Sequence, residues 1–132
     1  MKIIKVICGV IINEKNEILI TQKGDKVNYG KWEFPGGKVN KDEDDFTCLI
    51  RELKEELDLD VVPQKELLSY NFKNYNLIFV SGRIKSGKIT LREHLDFKWV
   101  SFLLIDSFDF IEGDLKFIEF LKHCEFIKNI RV

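Results

Sequence analysis

Short apolar runs alternate with polar turns in the first third of the chain. An apolar run over residues 2–12 ends at the polar residues 13–17, and a second run, 18–22, follows at once. Segments rich in β-branched residues and bounded by polar turns are typical of strands, so the simplest interpretation is a β-hairpin. The polar stretch 23–31 predicts a loop. The WEFPGG segment, 32–37, predicts a short extended piece ended by a proline and two glycines.

The pattern changes to helical spacing between about Asp44 and Leu57. Apolar residues recur there at intervals of three and four, which predicts an amphipathic helix. The residues of this apolar stripe are Phe46, Leu49, Ile50, Leu53 and Leu57. Acidic residues 42–45 lie at the predicted start of the helix, where the helix macrodipole favours negative charge.

Further strands and a second helix follow. Residues 67–84 predict two adjacent strands joined near 73–76, and residues 96–101 predict another strand. A second apolar stripe at helical spacing predicts a helix from about 114 to 127. The residues of that stripe are Phe117, Phe120, Leu121 and Cys124.

Length and charge narrow the fold and the functional class. The chain of 132 residues is long enough to bury a sizeable core, and it contains neither internal repeats nor a linker. We therefore predict one domain over residues 1–132, of the α/β or α+β class, in which helices cover a mixed sheet. The 21 basic and 22 acidic residues leave a net charge of −1, which argues against nonspecific binding to nucleic acid polymers. Single nucleotides remain candidate ligands where a metal ion supplies positive charge.

The apolar N-terminal run is not predicted to be a signal or membrane segment. Lys5 and the polar residues 13–17 interrupt it, and no run approaches the ~18 apolar residues that span a bilayer. Cys8, Cys48 and Cys124 are odd in number, lie far apart and form no zinc-ligand spacing. This pattern favours reduced thiols in a cytoplasmic protein.

Carboxylates are concentrated in residues 36–59. Glu52, Glu55 and Glu56 stand at i, i+3 and i+4, so they share one face of the predicted helix. Like charges at this spacing cost a few tenths of a kcal/mol each. Clustered hard oxygen ligands suit Mg²⁺ or Mn²⁺, which commonly bridge to substrate phosphates. A solvated acidic helix face is the alternative, and the bare triplet does not separate the two.

The residues around the triplet resemble the Nudix box, the signature motif of the Nudix hydrolases. The matching positions are Gly37, Glu43, Arg51, Glu52, Leu53, Glu55, Glu56 and Leu59. One position departs from the motif, since Asp58 stands where the family has a glycine. That glycine usually ends the helix in a left-handed conformation, which Asp tolerates at a cost of about 1 kcal/mol. We expect the change to affect the turn more than catalysis.

The resemblance extends to the MutT branch of the family, on the segments KWEFPGGK (31–38) and REHLDFKWVS (92–101). It implies a Nudix-type α/β/α sandwich in which the loop and helix of the box and a C-terminal helix flank a mixed sheet. The implied reaction is hydrolysis of a nucleoside triphosphate, such as 8-oxo-dGTP or a pyrimidine triphosphate, to a monophosphate and pyrophosphate. Two alternatives remain: another nucleoside diphosphate derivative such as a nucleotide sugar, and a nucleotide-binding module without catalysis.

The same resemblance implies a metal site and the catalytic roles. Its ligands for Mg²⁺, or Mn²⁺, would be Glu52, Glu55, Glu56, Glu93 and the carbonyl of Gly36. Glu52 or Glu93 would help to deprotonate the attacking water. Arg51 would orient the glutamate that follows it.

Substrate contacts are implied for a second set of residues. These are Glu33, Phe34, Pro35 and Gly36 around the nucleotide, Lys38 at phosphate and Asp114 at the base edge. For Phe34, a place in the core is an equal alternative. For Asp114, a helix N-cap is the alternative. His94, beside Glu93, is interpreted as a strand residue and not as a ligand.

Overall fold

The structure, a computed structural model, describes residues 2–123. Seven strands and two α-helices follow one another within that range. They are β1 Ile4–Ile11, β2 Glu17–Gln22, β3 Trp32–Glu33, β4 Gly36–Lys38, α1 Asp45–Leu57, β5 Asp60–Phe72, β6 Tyr75–Ser86, β7 Asp96–Ser101 and α2 Leu115–Lys122. Two 3₁₀ turns, Phe102–Ser107 and Glu112–Asp114, connect β7 to α2.

The strands form two sheets. One has the order β4-β1-β6-β5 and the other β3-β2-β7. β1 runs parallel to β6, whereas β4 and β5 pair antiparallel with their neighbours, so the larger sheet is mixed. The predicted α+β class with a mixed sheet is confirmed.

The predicted hairpin of the first two strands is wrong. β1 pairs with β4 and β6, and β2 pairs with β3 and β7. A single bridge between Ile12 and Ile18 connects them. β1 is buried on consecutive residues from Ile7 to Ile11, and therefore on both faces. Such a strand lies inside a sheet with a neighbour on each side, which a local hairpin does not supply.

The apolar core lies on both faces of the larger sheet. One cluster contains Leu49, Leu53 and Leu57 of α1, and the other contains Phe117 and Leu121 of α2. Alternate residues of β1 and β6 supply the two clusters, as the pleat of a strand requires. The two helices thus cover opposite faces of the sheet.

α1 begins and ends as the sequence predicts, but its buried stripe differs. Asp44 caps the start by accepting a hydrogen bond from the Thr47 N–H at 2.8 Å. Asp58 ends it in the left-handed conformation, with φ 58° and ψ 34°. Phe46 and Ile50, predicted as part of the stripe, are 39% and 42% exposed. They flank a face whose centre is already filled by leucines.

The remaining predictions concern boundaries. β5 begins at Asp60, seven positions before the predicted residue 67, and β7 matches its predicted range. In α2, Phe117 and Leu121 are buried as predicted. Cys124 and the last turn of the predicted helix lie outside the described residues. No helix within residues 2–123 is both long and apolar enough to cross a membrane.

Candidate active site

A cleft of about 670 Å³ lies beside the middle of β1, the start of β6 and β4. Two sets of residues line it. One set includes the carboxylates of Glu33, Glu56 and Glu93, and the other includes the apolar residues Phe34, Phe72, Leu77 and Ile111 together with Asp114. A single cavity thus combines a wall that can carry metal and phosphate with a wall that can hold a planar base.

Glu56 is the buried member of the helical triplet. Its side chain, near the end of α1, is only 6% exposed. Burial raises the pKa of Glu56 to about 10, together with a hydrogen bond to Glu52 and the negative charges of Glu33, Glu52 and Glu93. A divalent cation would relieve this repulsion, because it favours the charged form of every carboxylate around it.

Glu52 lies against the backbone of β4. A Cβ atom added to Gly37 would overlap the Glu52 carboxylate. The glycine at this position therefore keeps the carboxylate close to the strand that also carries the Gly36 carbonyl.

Arg51 ties the helix to the loop before it. Its guanidinium donates to both Glu43 carboxylate oxygens at 2.7 and 2.9 Å, and to Glu52 at 2.9 Å. It also donates to the Lys38 carbonyl at 3.1 Å. The Arg51 hydrogen bonds, with one from the Asn40 N–H, lower the pKa of Glu43 to about 2. This fork fixes the orientation of Glu52, in line with the role that the motif implies for Arg51.

The predicted metal ligands fit a hard cation by chemistry, although they are not gathered into a ready cluster. Carboxylates and a backbone carbonyl are the ligands that Mg²⁺ and Mn²⁺ prefer. Within the described residues, no three acidic, histidine or cysteine side chains are placed to hold an ion as they stand. Glu55 is 58% exposed and faces Arg51, as does Glu52. Glu52 already lies within hydrogen-bond reach of Glu56, whereas the Glu55 side chain would have to rotate towards Glu56 for all to share one ion.

The structure corrects the interpretation of His94 as a strand residue. It precedes β7 and its side chain is 5% exposed, so it is not an ordinary strand residue. A carboxylate only accepts hydrogen bonds, so Nε2–H donates to Glu33 at 2.8 Å. The same nitrogen lies 3.8 Å from a Glu56 oxygen. Among the described residues, Nδ1 is buried without a hydrogen-bond partner.

Lys23 is the second residue that the sequence interpretation missed. Its ammonium lies 3.4 Å from the Glu33 carboxylate and lines the cleft. The polar loop that contains it gives no local sign of this role. For His94, the only feature of the sequence that pointed to a place in the site was its position next to Glu93.

Asp114 faces the cleft and not the helix that it precedes. It is 2% exposed, and its Oδ2 accepts a hydrogen bond from the Phe34 N–H at 3.2 Å. Within the described chain its side chain makes no cap bond to α2. Burial raises the pKa of Asp114 to about 8, and the charge of Glu33 adds to the rise, while the Phe34 N–H and Lys23 oppose it.

Phe34 belongs to the core and to the cleft at once. Its ring is 2% exposed and packs on Phe110, Phe117 and Phe79 with centroids 5.3, 5.2 and 6.0 Å away. The two alternatives for this residue are therefore compatible.

The structure brings most of the predicted site residues to one cavity. Those that line the cleft are Glu33, Phe34, Gly36, Lys38, Glu56, Glu93 and Asp114. Pro35 is buried behind it, where its carbonyl accepts from the Gly9 N–H at 2.6 Å. Arg51, Glu52 and Glu55 lie beside the cleft on α1, outside its lining.

Comparisons with known proteins agree with this geometry. The family model of the NUDIX domain matches residues 2–121. The chain is 33% identical over 132 residues to an 8-oxo-dGTP diphosphatase of Buchnera aphidicola subsp. Schizaphis graminum, covering 97% of this chain and 100% of that protein. It is 31% identical over 111 residues to a CTP pyrophosphohydrolase of Escherichia coli K12, covering 76% and 78%. A MutT structure from a study of Aliivibrio salmonicida and Vibrio cholerae superposes with a TM-score of 0.77 at 29% identity, covering 89% and 95%.

Proposed function

Because the chain belongs to the Nudix family and is a pyrophosphohydrolase, we propose that it hydrolyses a nucleoside triphosphate to a monophosphate and pyrophosphate, with Mg²⁺. The single observation that carries this proposal is the cleft in which the buried Glu56 and the buried Asp114 both lie. One carboxylate is adapted to a cation, and the other lies among aromatic rings that suit a base. A site for a diphosphate without a base would need only the first.

Five groups would hold the ion: the carboxylates of Glu52, Glu55, Glu56 and Glu93 and the carbonyl of Gly36. A bound Mg²⁺ or Mn²⁺ lowers the pKa of a coordinated water and screens the phosphate charge. Arg51 fixes Glu52 beside β4 through the 2.9 Å hydrogen bond. Glu52 or Glu93 accepts the proton of the attacking water.

Two lysines at the cleft supply positive charge from the protein. Lys38 follows the two glycines of β4, and Lys23 is half-buried beside Glu33. Both side chains can pair with phosphate oxygens. Because the whole chain has a net charge of −1, such local pairing matters more than any general attraction.

For the base we propose guanine in its 8-oxo form as the first candidate. An ionised Asp114 accepts hydrogen bonds, and guanine offers N1–H and N2–H₂, to which the 8-oxo form adds N7–H. The resemblance to the 8-oxo-dGTP diphosphatase supports this choice. A pyrimidine triphosphate is the second candidate, supported by the resemblance to the CTP pyrophosphohydrolase. In this proposal the protein cleanses the nucleotide pool of the cytoplasm, with a small-molecule partner only.

One panel assay tests the function. The purified protein is incubated with Mg²⁺ and separately with 8-oxo-dGTP, the common triphosphates, ADP-ribose and a nucleotide sugar, and both pyrophosphate and orthophosphate are measured. Pyrophosphate released from triphosphates supports the proposal. Turnover confined to the nucleotide sugar or ADP-ribose would contradict it, and tight binding without turnover of any of them would favour a binding module.

A further inference from the structure

The Tyr70 hydroxyl accepts the hydrogen bond at the start of α2 that Asp114 would accept if its side chain capped the helix. Tyr70 lies near the end of β5, and its hydroxyl donates to the Gly113 carbonyl at 2.6 Å. The same hydroxyl accepts a hydrogen bond from the Phe117 N–H at 3.2 Å. Its two partners thus flank Asp114 in the sequence, one position before it and three positions after it.

At the start of a helix, an N–H in the position of Phe117 normally donates a hydrogen bond to the side chain of the capping residue. It is the third residue of α2, and the first N–H groups of a helix have no partner inside the helix. The residue at the N-cap position usually accepts from this N–H. α1 shows that arrangement, since Asp44 accepts from Thr47 three positions later. Asp114 and Phe117 have the same spacing in α2, but there the acceptor is Tyr70.

The backbone conformation of Asp114 is consistent with Tyr70, and not Asp114, being the acceptor for the Phe117 N–H. Its φ of −89° and ψ of −10° are helical, whereas Asp44 has the extended φ of −80° and ψ of 165° that an N-cap needs. With its cap position satisfied by Tyr70, the Asp114 carboxyl group lies in the cleft and accepts from the Phe34 N–H.

The hydroxyl itself is held in a defined place. The Tyr70 ring stacks on Phe79 with centroids 5.6 Å apart, and the Lys116 ammonium lies 5.2 Å from its centroid. Burial, followed by the charge of Asp114, raises the pKa of Tyr70 above its usual range, so the hydroxyl keeps the proton that it donates.

We propose that Tyr70 is a positioning residue for base selection: by capping α2 in place of Asp114, it leaves the Asp114 carboxyl group free to contact the base in the cleft. This inference deepens the proposed function and rests on it for its kinetic part. The hydroxyl itself contacts backbone groups of the segment that holds Asp114, so its action on substrate is indirect.

The test is a double-mutant cycle of Tyr70→Phe and Asp114→Ala, with Tyr29→Phe as the control at an exposed tyrosine. In Tyr70→Phe the ring stays, and a change in ψ lets Asp114 accept from Phe117. We expect each single variant to lower the melting temperature by no more than about 2 °C, and the double variant by about 6 °C or more, which exceeds the sum, because neither the Tyr70 hydroxyl nor the Asp114 carboxylate is then left to accept from Phe117. If the loss of melting temperature in the double variant only equals the sum of the two single losses, the proposed exchange of cap acceptors is overturned.

The two substitutions should couple in the opposite way in their effect on selectivity between bases: the second should add nothing to the first. The ratio of kcat/KM between the best and the poorest triphosphate should fall about tenfold in each single variant, and no further in the double variant. The loss should appear in KM, with kcat changed less than about threefold, since the metal ligands are untouched. A uniform loss over all nucleotides would instead make Tyr70 a structural residue and overturn the proposal. If the wild type hydrolyses no triphosphate, the proposed function fails, and the stability cycle still decides the exchange of caps.

Discussion

Glu56 shows how a residue that is unfavourable for the fold can be the proposed centre of a metal site. Its carboxyl group is almost fully buried among the negative charges of Glu33, Glu52 and Glu93. Such burial is retained in proteins when a ligand offsets it, and active sites are where these arrangements concentrate. The carboxyl group whose ionisation is most strongly disfavoured in the cleft is thus the best candidate for the principal metal ligand.

Replacing Glu56 by Gln should separate activity from stability. The change keeps the volume of the side chain and removes a charged oxygen ligand, so we expect kcat to fall by at least ~10²-fold. The melting temperature should not fall, because Glu56, with a folded pKa of about 10, must take up a proton on folding at neutral pH, and Gln need not. Turnover at saturating Mg²⁺ and a thermal melt measure the two effects. Near-normal turnover would remove Glu56 from the metal site.

Asp114 should make the stability of the free protein depend on pH. Its folded pKa of about 8 lies above the ordinary value of 3.8, so the folded state holds the proton more tightly. This contribution to stability is therefore full below about pH 4 and is lost as pH rises through 8. The titratable groups around it are Glu33, Lys23, Cys8 and Tyr70.

Asp114→Asn is the variant that tests this dependence. Urea unfolding at pH 5 and pH 9 should show a loss of stability in the wild type that is clearly smaller in the variant. An equal loss in both proteins would assign the pH dependence to other groups. Asn remains an acceptor for the Phe34 N–H, so the folded structure should be kept.

The proximity of site residues could be predicted where they are close in sequence, and not where they are distant. The three glutamates of α1 stand within five positions, so their spacing was visible. His94 meets Glu33 across 61 positions, and the Phe34 N–H meets Asp114 across 80. Such contacts exist only once the sheets have formed, which no spacing along the chain reveals.

At the scale of elements, the end of α1 carries the one departure from the Nudix motif. Asp58 adopts the left-handed conformation expected of the glycine, and its N–H bonds the Leu53 and Lys54 carbonyls. Its carboxylate also lies 3.3 Å from both Lys54 and Arg92. These partners are about half exposed, and ion pairs of this kind contribute about 0.2–1 kcal/mol each.

Replacing Asp58 by Gly should leave the melting temperature within about 3 °C of the wild type. Glycine gains about 1 kcal/mol in the left-handed conformation, and losing the two exposed ion pairs offsets most of it. Asp58→Asn is the matched control, since it loses the charge and keeps a side chain that tolerates this conformation. A drop of 6 °C or more, repeated in the Asn variant, would show that the ion pairs dominate. Activity should be unchanged in both.

Elements could be predicted from periodicity more readily than their partners could. The limits of α1, β7 and the turn between β5 and β6 followed from apolar spacing and polar turns. The pairing of β1 did not, because its parallel neighbour, β6, lies some seventy residues further along the chain. The same apolar run satisfies either a hairpin or a central strand, and only the rest of the sheet decides between them.

At the scale of the whole molecule, the metal site should couple to folding. An ion that binds the folded state alone stabilises it by about 2.7 kcal/mol at one hundred times its dissociation constant. Mg²⁺ or Mn²⁺ should therefore raise the melting temperature of the wild type above its value in EDTA. The rise should vanish in Glu56→Gln and persist in Asp58→Gly. An equal rise in Glu56→Gln would place the ion elsewhere.

The fold class could be predicted from the sequence because the strand pattern, the helix pattern and the Nudix motif all indicated the same architecture. The confirmed parts are the mixed sheet, the helices on its two faces and membership of the Nudix family. A single domain over residues 1–132 remains a prediction, since the structure describes residues 2–123.

The division of the core into two clusters has a consequence for how such a protein can change over generations. The carboxylates of α1 rest on one cluster, and the aromatic rings around Phe34 and Asp114 belong to the other side of the sheet. If the proposed roles hold, substitutions that reshape the second cluster alter which base is accepted without disturbing the helix that carries the proposed metal ligands. Lineages descended from one ancestor could therefore diversify in substrate while selection holds the hydrolytic machinery constant.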